Sequence, residues 1–142
     1  MQKHTVIRNT VLLFLGFAGM GLGSCKKEVT QVVNQGFSAI YNVHPNGWKG
    51  DGSGAYYSYE LDVPELDDVI LAHGGVSVYI SFDGGKNYET TPEVVGNVAY
   101  GSYHYLGTVG IDLSPADGTG TVSPPAGEIL AKVVLLDAQP LD

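Results

Sequence analysis

Residues 76–88 read VSVYISFDGGKNY, and their order decides the fold. Val76, Val78, Ile80 and Phe82 alternate with Ser77, Tyr79 and Ser81, a period of two that sends one set to each face of a strand. Asp83-Gly84-Gly85-Lys86 then breaks the alternation with turn-forming residues before the chain resumes at Tyr88, so an antiparallel hairpin is expected here. The same rhythm recurs on both sides. Upstream, Tyr57, Tyr59, Leu61 and Val63 alternate with Ser58, Glu60 and Asp62, and Phe37, Ala39, Tyr41 and Val43 alternate with Ser38, Ile40 and Asn42. Each odd-numbered set is expected to face a core. Between Pro64 and Gly74 the spacing changes: Leu66, Val69, Ile70 and His73 fall at helical intervals after a cluster of acids, which predicts one short helix ending near Gly74.

Downstream, strands are expected near 98–106, 108–113 and 128–137, with Gly107 as a turn and residues 114–125 as a loop rich in Gly, Ser, Thr and Pro. About seven short strands at this spacing predict an all-β fold, an antiparallel β-sandwich with one short helix. A small closed barrel is the alternative, because periodicity does not say whether sheet edges meet.

The N-terminus has a different character. Lys3 and Arg8 precede an apolar run from Val11 to Leu22, followed by small residues, the layout of a secretory signal. The run is well short of the roughly 20 residues a membrane-spanning helix needs. Leu22-Gly23-Ser24-Cys25 resembles the bacterial lipobox, whose cysteine receives diacylglycerol and becomes the new N-terminus. Cys25 is the only cysteine in the chain, so no internal disulfide can form, and lipidation gives the thiol a role. Each buried CH₂ of an acyl chain contributes about 0.8 kcal/mol, which makes a multiply acylated cysteine a stable anchor. The expected organisation is a signal peptide over 1–24, a lipidated N-terminus and tether over 25–35, and one domain over 36–142. Lys26-Lys27-Glu28 is similar to the charged export signals of Bacteroidetes surface lipoproteins, which implies a cell-envelope location, lipid-anchored at the outer membrane, with exposure on its surface as one of two orientations.

Charge narrows the partners. The chain carries 15 acids and a formal net charge of −8, and it becomes two units more negative once Lys3 and Arg8 leave with the signal. No arginine remains to fork onto phosphate, so nucleic acid is excluded as a partner.

The stretch from Asn46-Gly47-Trp48 through the tyrosine-rich strand, Val63-Pro64-Glu65-Leu66, Gly74-Gly75-Val76-Ser77-Val78-Tyr79 and Asp83-Gly84-Gly85 resembles the C-terminal domain of uncharacterised Bacteroidetes lipoproteins. Some of these carry a collagen-like Gly-X-Y segment, which this sequence lacks. The resemblance implies a β-sandwich and brings no activity with it. Ser81-x-Asp83-x-Gly85-x-x-Tyr88 also resembles the Asp-box, a hairpin-stabilising element, and a single copy in so short a domain excludes a propeller.

Several constellations bear on chemistry. His44, His73 and His104 show no metal-ligand spacing, and no Gly-x-Ser-x-Gly nucleophile motif occurs. Glu60, Asp62, Glu65, Asp67 and Asp68 supply carboxylates for a hydrolase, whereas Asp51, Asp83 and Asp117 lie in Gly-rich loops where calcium could bind weakly. Neither set has a preassembled pattern, so no metal and no cofactor are expected. Trp48, beside the glycine-rich loop, and Tyr56, Tyr79 and Tyr100, expected to point away from the core, are the candidate ligand-binding aromatics and would offer a stacking platform. The leading expectation is a non-enzymatic, lipid-anchored envelope module that contacts an unknown protein or glycan. A carbohydrate-binding module using those aromatics and a carboxylate-based hydrolase are the alternatives.

Overall fold

A computed structural model describes residues 36–138; the expected signal peptide and tether, with Cys25, and residues 139–142 lie outside the described residues. The described chain runs β1 (Gly36–Val43), β2 (Lys49–Gly50), β3 (Tyr57–Asp62), helix α1 (Asp68–His73), β4 (Gly75–Ser81), β5 (Glu89–Thr90), β6 (Glu93–Val95), β7 (Val98–Tyr105), β8 (Thr108–Pro115) and β9 (Ile129–Leu136). A small sheet has the order β1-β9-β4-β5 and a large sheet the order β2-β3-β8-β7-β6. All pairs are antiparallel. Two separate sheets decide for the sandwich over the closed barrel. Nine strands stand among the described residues where about seven were expected, because β2 and β6 are two and three residues long, too short for alternation to reveal.

The core lies between the sheets. Val78 and Ile80 of β4 and Ala131, Val133 and Leu135 of β9 cluster with Leu61 of β3 and Val109, Ile111 and Leu113 of β8. Burying each aliphatic side chain contributes about 1.5–3 kcal/mol, which joins the sheets without a disulfide. Val122, in the long loop after β8, is also buried, and its N–H donates to the Gly54 carbonyl at 2.9 Å.

Alternation holds best in central strands. On β1 the odd-numbered face turns inward only at its end: Val43 is fully buried and Tyr41 half-buried, but Phe37 is 45% exposed. β1 is an edge strand, and beside its first half an apolar cleft of about 150 Å³ opens between Phe37, Tyr41, Val63 and Leu135. The helix forms where expected. Asp67 caps it, its Oδ1 accepting from the N–H groups of Val69 and Ile70 at 3.0 and 2.9 Å, while Leu66 and Ile70 are buried and Val69 stays exposed. Gly74 ends the helix with an ordinary negative φ of −88°. Its lack of a side chain is required by space, since a Cβ would run into the Leu136 carbonyl oxygen.

The hairpin after β4 has the bonding of an Asp-box. Asp83 Oδ1 accepts from the N–H groups of Lys86 and Asn87 at 3.0 and 2.9 Å, and Ser81 Oγ accepts from Gly85 N–H at 2.8 Å while bonding Asp83. The turn starts one residue before Phe82 could continue the strand. Ser81 is buried, and Phe82, next after Ile80 in the apolar alternation, is 41% exposed and meets Tyr100 edge-on.

Candidate functional site

The outer face of the large sheet is built in rows across β3, β8 and β7. Val109, Ile111 and Leu113 point into the core, so period-two alternation turns Thr108, Gly110 and Asp112 outward. The register then aligns Asp62, Thr108 and Tyr105 in one row, Glu60, Gly110 and Tyr103 in the next, and Ser58, Asp112 and Gly101 in the third. A two-residue connection at Leu106-Gly107 fixes this register, with Gly107 at φ +72°.

Gly110 shapes the face. A Cβ there would fall on the Tyr103 ring, nearest Cζ and equally near both Cε atoms, as a point above the ring face would. The ring therefore lies flat against the sheet over residue 110. Tyr105, two residues on, is nearly parallel to it, with centroids 6.5 Å apart and 15° between the planes. That spacing matches the two-residue repeat of a strand, roughly 6.6–6.8 Å. Both rings lean across β8 toward β3. The Tyr105 hydroxyl donates to Glu60 Oε1 at 2.8 Å, and the Tyr103 hydroxyl lies near enough to Ser58 to be influenced by it.

The face is negative. Burial raises the Tyr103 pKa above the ordinary phenol value; the Ser58 side chain lowers it, and the charges of Glu60, Tyr105 and Asp112 raise it further. Tyr56, at the β2–β3 side, is raised first by burial and then by the negative charge of Asp112.

The aromatics expected as a platform do not come together. Of the four, only Tyr56 reaches this face. Tyr100 requires correction: it is 6% exposed and part of the core, because its register partner Leu113 faces inward. Trp48 is half-buried against the core and edge-on to Tyr59, with centroids 5.6 Å apart. Its Nε1 is buried without a partner. Tyr79 lies on the outer face of the small sheet, where the Lys132 ammonium sits 4.6 Å from its ring centroid and 4.4 Å from that of Tyr88.

The remaining candidates are dispersed. Glu60 and Asp62 share the tyrosine face as alternation implies, but Glu65 borders the cleft beside β1 and Asp67 caps α1. Asp51, Asp83 and Asp117 each accept bonds inside their own turns, which lowers all three pKa values, that of Asp83 to about 2. His44 Nδ1 lies 2.7 Å from Glu128 Oε2 at the surface. Among the described residues no three His, Cys, Asp or Glu side chains converge as metal ligands.

Sequence reasoning missed Tyr103, Tyr105 and Asp112. A usable signal was present in Gly110, a glycine between the inward residues Val109 and Ile111, since mid-strand glycine marks a close approach. In comparisons with known proteins, no family model, curated protein or solved structure matches this chain.

Proposed function

We propose that this protein is a non-enzymatic binding module, held in the cell envelope by a lipid on Cys25 and contacting its partner through the Tyr103–Tyr105 face. The observation that carries the reading is the pair of parallel rings, one laid flat over Gly110, with Tyr105 still 47% exposed. Flat, partly exposed aromatic rings offer contact area at little cost in side-chain entropy. The lipobox-like Leu22-Gly23-Ser24-Cys25 supports the anchor, and Lys26-Lys27-Glu28 supports a place at the outer membrane.

A photo-crosslinking phenylalanine analogue placed at Tyr105 of the full-length chain in cells tests the face. Adducts are expected from position 105 and not from Ile40, which is 60% exposed on the outer side of the small sheet. Adducts from neither position would defeat the reading. Cys25→Ser is expected to abolish both fatty-acid labelling and membrane retention. A neutral glycan is the second candidate occupant, favoured by the flat Tyr103 ring, because sugar rings stack on aromatic faces.

A further inference from the structure

The small sheet shows how this protein places a cation among tyrosines. Lys132 of β9 pairs in register with Tyr79 of β4, and its ammonium lies over both Tyr79 and Tyr88. The large sheet repeats the tyrosines and reverses the charge. Around Tyr103 and Tyr105 stand Glu60, Asp62 and Asp112, and among the described residues no lysine lies over either ring. Lys49 is the cation in register with this face, at the edge beside Ser58.

Three features make these rings suited to a positive group. An aromatic face carries negative potential, which attracts ammonium and guanidinium groups. The Tyr105 hydroxyl donates to a carboxylate, which pushes electron density toward its ring. A carboxylate can accept several hydrogen bonds, so Glu60 retains acceptor capacity beyond the one bond from Tyr105. An anionic ligand would meet repulsion, and a neutral sugar would leave the charge uncompensated. Resting on the face assigned above, we propose that the Tyr103–Tyr105 face binds a basic peptide segment of a partner protein, with a Lys or Arg side chain over the rings and its charge against Glu60 and Asp112.

The probe is a short oligo-lysine peptide titrated into the detergent-solubilised full-length protein. An oligo-glutamate peptide and a neutral oligosaccharide serve as comparison probes. Oligo-lysine is expected to bind and to weaken as salt rises toward about 0.15 M. Tyr105→Leu, which keeps every carboxylate, is expected to weaken it roughly three- to thirtyfold, the range of an exposed to a desolvated cation–π contact. Glu60→Gln is expected to weaken it as well, whereas Glu89→Gln on β5 leaves it unchanged.

Equal losses from Glu89→Gln and Glu60→Gln would mean undirected attraction to an acidic protein and would overturn the proposal. So would an unchanged affinity in Tyr105→Leu, provided its circular dichroism matches the parent. If the neutral oligosaccharide binds and oligo-lysine does not, the cationic partner is wrong while the face stands. If no probe responds to Tyr105→Leu and position 105 yields no crosslink, the face itself fails.

Discussion

Tyr79 and Tyr88 on one side of the sandwich share the ammonium of Lys132, while Tyr103 and Tyr105 on the other lie among Glu60, Asp62 and Asp112. Both faces use tyrosine because an aromatic ring with a polar tip suits a half-buried strand. They differ in what the neighbouring strand supplies. On the small sheet β9 contributes a cation in register, so attraction is satisfied within the molecule and counts toward stability. On the large sheet β8 contributes Gly110 and Asp112, which lay a ring flat and leave the charge unbalanced. Position in the register, not residue type, separates a tyrosine that shares a cation from one left among carboxylates.

Tyr100 gives the largest test of that distinction. It shares β7 with Tyr103 and Tyr105 but is buried, so Tyr100→Ala should cost about 3–5 kcal/mol in chemical denaturation. Tyr105→Ala should fall within about 1 kcal/mol, and a similar loss from both would break the assignment of faces. Next comes Lys132→Met, which keeps the aliphatic stem and removes the charge. It should cost about 1 kcal/mol, seen as a fall in Tm of roughly 4–8 °C for a domain of this size, with oligo-lysine binding unaltered.

Gly110→Ala should have the opposite profile. The ring it displaces can swing outward, so stability should change by less than about 1 kcal/mol, while oligo-lysine affinity falls by an amount similar to that in Tyr105→Leu. Unchanged affinity would show that the flat ring is dispensable.

The smallest effect concerns Asp83, whose turn precedes Tyr88. Four hydrogen bonds, from the Asn87 N–H, the Ser81 hydroxyl, the Asn87 side-chain amide and the Lys86 N–H, hold its pKa at about 2, below the unfolded value of about 3.9. A depressed folded pKa contributes stability that is present above the unfolded value and lost as pH falls through the folded one. The melting temperature should therefore drop between about pH 4 and pH 2, and Asp83→Asn should remove that part of the acid sensitivity. Parallel pH curves for the two proteins would count against the turn's role.

The two-sheet fold was legible wherever one face of a strand is buried and the other solvated. β3 and the centre of β4 satisfy that condition, and the alternation predicts both. It misled at margins. Phe37 belongs to an edge strand that its neighbours only partly cover, and Phe82 falls where the Asp-box turn takes over. The proposed binding face was less legible, because choosing outward tyrosines on β7 needs the register with β8. Tyr100 and Tyr103 differ by three positions and so point to opposite faces. Counting from the Leu106-Gly107 turn against Val109, Ile111 and Leu113 settles the parity, but only once those three are known to be inside.

The central position of β9 also shapes the order of assembly. β1 and β4 lie on either side of it, so the Val43–Ile129 pairing must wait for most of the domain to leave the ribosome. At 5–20 residues per second that delay is on the order of ten seconds. During it, β1 has no partner and β4 is paired only with the two-residue β5, so both keep exposed edges. The large sheet can begin sooner, since its β7–β8 hairpin closes over two residues. The small sheet thus stays open until its closing strand arrives, and until then its edges need shielding from neighbouring chains.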